Sequence, residues 1–106
     1  MKLLTQANRK ALPALYSTDG QGDDAIVHVK LFTPDSSWTW LATEFDPESR
    51  LFFGWADNGQ GGGELGNFSL DELEGVHGPM GLSVERDRYF RPKSLGEALE
   101  SEGLQR

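Results

Sequence analysis

Two histidines, His28 and His77, stand among seventeen Asp and Glu side chains, and the chain has no cysteine. Imidazole and carboxylate could together hold a divalent cation or relay a proton. The histidines fall far apart, and no His-x-x-x-His pair places two imidazoles on one helix face. A shared metal site is therefore not expected, and each histidine has an ordinary surface reading. Glu44, Asp46, Glu48 and Asp57 crowd one stretch. Two such carboxylates could divide acid and base roles, as in glycoside hydrolysis. A solvated hairpin end accounts for the same residues. No Gly-x-Ser-x-Gly elbow is present to expose a serine nucleophile. The run Gly59-Gln60-Gly61-Gly62-Gly63-Glu64-Leu65-Gly66 has glycine enough to bring backbone amides up to a phosphate. It lacks the Gly-Lys-Ser/Thr that completes a P-loop, and Asp57 and Glu64 would repel phosphate. A hairpin loop bordering a partner-binding surface is the reading that remains.

Charge and aromatic placement say more. Residues 44–75 hold eight acids (Glu44, Asp46, Glu48, Asp57, Glu64, Asp71, Glu72, Glu74) and one base, Arg50. That window sums to −7, the net charge of the chain, and the remaining nine acids and nine bases cancel. Acids that keep a small domain soluble explain the window. So does a face that docks on a basic partner, presenting carboxylates where phosphates would sit. Arg86, Arg88, Arg91 and Lys93 form a modest basic strip beside Glu85 and Asp87. Trp38, Trp40, Phe52, Phe53 and Trp55 crowd the acidic region, too many for alternation to bury on one side. They fill cores on both faces, or some stay exposed as interface side chains.

These side chains need a scaffold, and periodicity supplies one. Thr5 caps an expected helix whose apolar residues are Ala7, Ala11, Leu12, Leu15 and Tyr16, kinked or shortened by Pro13. Residues 17–24 read as a loop. Residues 25–33 alternate as a strand, with Val27, Val29 and Leu31 inward. Residues 37–45 alternate again, with Trp38, Trp40, Ala42 and Glu44 on one face and Thr39, Leu41, Thr43 and Phe45 on the other. Asp46-Pro47-Glu48-Ser49 turns the chain, and residues 51–57 return as the second arm of an antiparallel hairpin. Phe45 opposite Leu51 would place Trp40 opposite Ala56, with Gly54 diagonal to it. A short strand over residues 64–68 follows the glycine loop. Ser69 and Glu72 have capping-box spacing for a short helix ending by Gly75, and Ser94 and Glu97 open a last helix. Residues 82–90 are mixed, with Leu82, Val84, Tyr89 and Phe90 offered to the core. The connections are too short for parallel crossovers. The expectation is an α+β fold, one domain over residues 1–106, with a mainly antiparallel sheet of four to five strands. Short helices flank it at the N-terminus, middle and C-terminus.

Composition bounds the function. The 106 residues are 37% hydrophobic, with 3 Trp, 6 Phe and 2 Tyr, which is globular rather than disordered. Without cysteine there is no disulfide, thiolate nucleophile, Cys-ligated zinc or iron–sulfur cluster. A charge of −7 argues against non-specific nucleic-acid binding, so direct DNA or RNA contact is not expected. The chain turns polar after Leu4, without a signal-peptide core, and nothing approaches the roughly 18 apolar residues of a membrane span. A cytoplasmic location with no membrane contact is the expectation.

A string of short motifs then accumulates: Lys2-Leu3-Leu4-Thr5, Val29-Lys30-Leu31-Phe32-Thr33-Pro34, Thr39-Trp40-Leu41-Ala42-Thr43-Glu44-Phe45-Asp46-Pro47 and Phe53-Gly54. Glu64-Leu65-Gly66, Ser69-Leu70-Asp71-Glu72-Leu73-Glu74, Gly78-Pro79-Met80-Gly81-Leu82 and Glu85-Arg86-Asp87 extend it. This order resembles the bacterial family called domain of unknown function 2958, over nearly the whole chain. Relatives tend to carry proline before Glu-Leu-Gly, where Gly63 stands here. The resemblance brings no established catalytic residues. It implies a setting on plasmids, integrative elements and related mobile DNA, often near antirestriction or DNA-maintenance genes. The functional expectation is a non-enzymatic protein–protein interaction module of mobile-element biology. It would be an acidic inhibitor of anti-CRISPR or antirestriction type, docking on a basic, nucleic-acid-handling host complex. The docking residues expected are Trp38, Trp40, Glu44, Asp46, Trp55, Asp57, Glu64, Asp71, Glu72 and Glu74. One alternative is a small hydrolase or metal-dependent enzyme using Glu44, Asp57 or His77. Another is a nucleic-acid accessory protein using Arg86, Arg88, Arg91 and Lys93. No cofactor is expected.

Overall fold

The Trp-rich hairpin is the middle of the molecule. In the computed structural model, which describes residues 2–104, it is built from β3 (Thr39–Asp46) and β4 (Leu51–Asp57). On one side β4 pairs with β5 (Glu64–Ser69); on the other, β3 pairs with β2 (Val29–Phe32), and β2 with the two-residue β6 (Glu85–Arg86). All four pairings in this five-stranded sheet, ordered β5-β4-β3-β2-β6, are antiparallel. A separate antiparallel pair joins β1 (Ile26–Val27) to β7 (Lys93–Ser94). Helices α1 (Gln6–Ala11), α2 (Leu70–Glu74) and α3 (Leu95–Ser101) lie at the N-terminus, middle and C-terminus. The α+β, antiparallel architecture is thus the one that connection lengths demanded.

Each helix starts where a side-chain oxygen meets an orphan amide. Thr5 accepts from the Asn8 N–H, and the Asn8 side chain accepts from the Thr5 N–H in return. Ser69 and Ser94 accept from the amides of Glu72 and Glu97. The first helix is shorter than its apolar pattern suggested. It stops at Ala11 with no buried residue, and Leu15 and Tyr16 fall in turns beyond Pro13. Proline cannot extend the ladder, and the Pro13 carbonyl instead accepts from the Phe45 N–H.

Two apolar cores sit on opposite faces of the sheet. The first gathers Trp40, Ala42, Phe45 and Phe52 from the hairpin with Val29 and Leu31 from β2, under Leu3, Leu4, Leu12, Leu70, Leu73 and Val84. The second gathers Leu41 and Trp55 with Val27, under Leu95, Ala98 and Leu99 of α3. Burial of Phe45 and Phe52, each at most 2% exposed, contributes about 2–3 kcal/mol apiece.

The hairpin register departs from simple alternation at one point. Trp40 faces Ala56 as expected, but Phe45 faces Phe52 rather than Leu51, because a bulge falls between Ala42 and Glu44. An extra residue in one strand reverses the faces beyond it. Phe45 therefore joins Trp40 and Ala42 in the first core, and Glu44 leaves their face. The expected strand over residues 25–33 also divides. Val27 pairs toward β7 and packs in the second core, whereas Val29 and Leu31 pair with β3 and pack in the first. Leu82 and Tyr89 are exposed rather than core, at 47% and 87%, while Val84 is buried and Phe90 packs against the second core.

Candidate functional site

The acidic window does not fold into one acidic face. Glu44, turned by the bulge, is 1% exposed. Its carboxylate accepts from the backbone amides of Tyr16 (2.7 Å) and Thr18 (2.9 Å) and from the Thr18 hydroxyl. Residues 13–18 thereby seal the half of β3 that β2 does not reach. Asp57 is equally buried and accepts from the indole Nε1 of Trp55 (3.0 Å) and the amide of Gly59 (2.7 Å). Both carboxylates are committed to internal bonds, and Asp57 also lines a recess with Gly59, Gln60, Gly61, Gly103 and Leu104. Trp55, 5% exposed, belongs to the second core and is no surface residue either.

The remaining acids separate into spent and unspent groups. Asp46 closes its own turn, accepting from the amides of Glu48 and Ser49 and the Ser49 hydroxyl. The Ser49 hydroxyl, then the Glu48 amide, hold its carboxyl below the usual carboxylate range. Asp71 and Glu74 are bridged by Arg50, at 2.6 and 2.9 Å. That pairing, led by the hydrogen bond to Asp71, raises the Arg50 guanidinium above its ordinary value. Glu64 and Glu72 stay exposed.

Those two acids flank an exposed tryptophan. Trp38, 43% exposed, stacks on the buried Trp40 with ring centroids 5.6 Å apart and planes 15° apart. On one side lies an apolar groove of about 310 Å³ lined by Trp38, Trp40, Phe68, Leu73 and Val76, with Glu72 at its rim. On the other, Trp38 borders a smaller groove of about 260 Å³ with Ala56, Asn58, Gly63 and Glu64. Of the ten expected docking residues, Trp38, Trp40, Glu64 and Glu72 come together here. Periodicity missed Phe68, Leu73 and Val76. The signal for them was the Ser69 cap, which turns the chain from β5 straight into α2 and lays Leu73 over the sheet.

Gly63 fixes the wall of the second groove. A methyl there would meet the Trp55 Nε1 at 2.4 Å and the Asp57 Oδ2 at 2.5 Å.

The basic strip is also divided. The Arg86 guanidinium donates to the carbonyls of Lys2 (2.8 Å) and Leu3 (3.0 Å), a structural tie. Lys93 lies 5.0 Å over the Phe90 ring, and Arg88 and Arg91 are exposed. His77 is exposed, with Nδ1 3.1 Å from the Gly75 carbonyl. Partial burial holds the His28 imidazole below the ordinary histidine value. Among the described residues, no three His, Asp or Glu side chains converge as a metal site. No helix among them is long and apolar enough to cross a membrane.

No curated protein and no solved structure matches the chain. A family model described as "Protein of unknown function (DUF2958)" matches residues 3–98, and with nearly the whole sequence covered the chain belongs to that family.

Proposed function

We propose that this protein is a non-enzymatic docking module whose Trp38 groove engages a basic surface of a partner protein. The observation that carries the reading is the half-exposed Trp38, anchored by its stack on Trp40, between Glu64 and Glu72. Tryptophan at the mouth of an apolar groove with a charged rim is the composition of an interface anchor. Among the described residues, neither groove is lined by Lys or Arg. In the setting implied by the resemblance, a mobile genetic element, the partner would be a host defence complex that handles nucleic acid. The module would act as an inhibitor of antirestriction or anti-CRISPR type, occupying a basic surface that otherwise meets phosphates.

The test is affinity capture from source cells at low salt, elution with a salt gradient, and mass spectrometry. Wild type, Trp38→Ala and the pair Glu64→Lys with Glu72→Lys are run in parallel. The expected result is a basic nucleic-acid-handling protein held by wild type, released by salt and lost in both variants. Identical retained proteins in all three would overturn the reading.

A further inference from the structure

The sheet treats its two edges differently. At the β6 edge the strand is two residues long, and Arg86 ties it to the carbonyls of Lys2 and Leu3. Short, covered edges resist further pairing. At the other edge β5 runs six residues, in unbroken register with β4 from Ala56↔Glu64 to Leu51↔Ser69. It carries no proline, lysine or bulge, and no strand among the described residues lies on its outer side.

The phase of the ladder identifies the groups left open. The Leu70 amide donates to the Arg50 carbonyl at 2.9 Å, just beyond the Leu51↔Ser69 pair. Antiparallel pairs alternate between hydrogen-bonded and non-hydrogen-bonded. Phe68, Gly66 and Glu64 therefore exchange bonds with β4, and Leu65 and Asn67 aim their N–H and C=O groups outward. A groove of about 310 Å³ opens near this strand on each face. One is the Trp38 groove, which includes Phe68. The other is formed by Phe53, Leu65, Ala25 and Leu95 with Asp19 at its rim. Strand addition uses these parts: open backbone groups for affinity, and alternating recesses for side chains on both faces.

We infer that β5 accepts an extended segment of the partner, one bearing Lys or Arg among apolar side chains. The inference rests on the docking reading and specifies its mode. Charge selects the occupant. Asp19, Glu64 and Glu72 rim the recesses, and no Lys or Arg among the described residues lines them. A second copy would bring the same acids on a chain of charge −7.

The experiment selects a random dodecamer peptide library, displayed on phage, against the intact protein at low salt. Winners are then measured against Leu65→Pro, Leu65→Lys and Trp38→Ala. Proline at position 65 removes an N–H that faces away from β4, and edge strands tolerate it. Lysine there keeps the amide but adds a repelling charge. Winners should be rich in Lys or Arg, and should protect the Leu65 and Asn67 amides from hydrogen exchange. Affinity should fall roughly tenfold in each Leu65 variant, with the thermal melt little changed. The inference is overturned by a library without winners, by acidic winners, or by binding that leaves both amides exchanging freely. Self-association abolished by Leu65→Pro would instead make a second copy the occupant, and would also overturn it. Loss of the captured protein by Trp38→Ala with no effect of Leu65→Pro would end the strand inference and leave the groove reading intact. Capture indifferent to Trp38→Ala, with peptide protection at Leu65 and Asn67, would do the reverse.

Discussion

Glu44 shows how one side chain can be drawn from the surface into the frame. A carboxylate at 1% exposure is costly unless its oxygens are satisfied. Here the amides of Tyr16 and Thr18 and the Thr18 hydroxyl satisfy them. The exchange runs both ways, because Tyr16 holds a left-handed backbone, φ 71°, that a non-glycine residue adopts only under constraint. Glu44→Ala would leave two backbone donors without their acceptor and free that turn to relax. The expected loss is about 2–4 kcal/mol in urea unfolding, with amide exchange accelerated first over residues 13–18. A change below about 1 kcal/mol would show that the carboxylate does not hold the loop.

At the scale of elements, the close approach of β3 and β4 is set at Gly54. A methyl on Gly54 would sit 1.9 Å from the Leu41 carbonyl oxygen and 2.9 Å from its carbon. Both atoms are backbone, so no rotamer relieves the clash and the strands must part. Gly66, paired with Gly54 across the ladder, has nothing within 4 Å of the same position. Gly54→Ala should therefore cost about 2–3 kcal/mol, while Gly66→Ala should be neutral or slightly stabilising. Chemical denaturation of the two variants side by side checks this, and equal effects would contradict it. The same hairpin shows what alternation can convey. Its period of two placed Trp40 opposite Ala56, and the turn residues Asp46 and Pro47 marked its end. A bulge leaves no mark in that period, since one extra residue at Thr43 looks like uninterrupted strand, yet it moves Glu44 and Phe45 to opposite faces. The β1–β7 pair, at two residues a strand, is too short for any period to register. Pro13 did carry its meaning: of a kink and a shortened helix, the outcome is the shortened helix.

Over the whole molecule, a charge of −7 is distributed by folding in a way that sequence position hides. The window containing Glu44 and Asp57 read as a candidate acidic face, but two of its acids are interior and two more are paired with Arg50. Arg50 lies 21 residues before Asp71 and 24 before Glu74, and only the β4–β5 pairing brings them together. What was legible of the site was its tryptophan and its glycine loop. What was not was which carboxylates would stay free, because that depends on contacts between distant segments. The consequence is a local rather than a global electrostatic reading, and the two can be separated. Glu72→Lys and Glu100→Lys each exchange −1 for +1, so each takes the chain from −7 to −5. Glu72 rims the Trp38 groove, whereas Glu100 is exposed on α3, the helix that covers the opposite face. Exposed charges are screened over about 8 Å at physiological salt, less than the thickness of a sheet with its covering layer. Partner affinity at that salt should therefore fall about tenfold for Glu72→Lys and less than about twofold for Glu100→Lys. Equal losses, vanishing together as salt rises, would assign the attraction to the field of the entire protein and remove the groove from its central place.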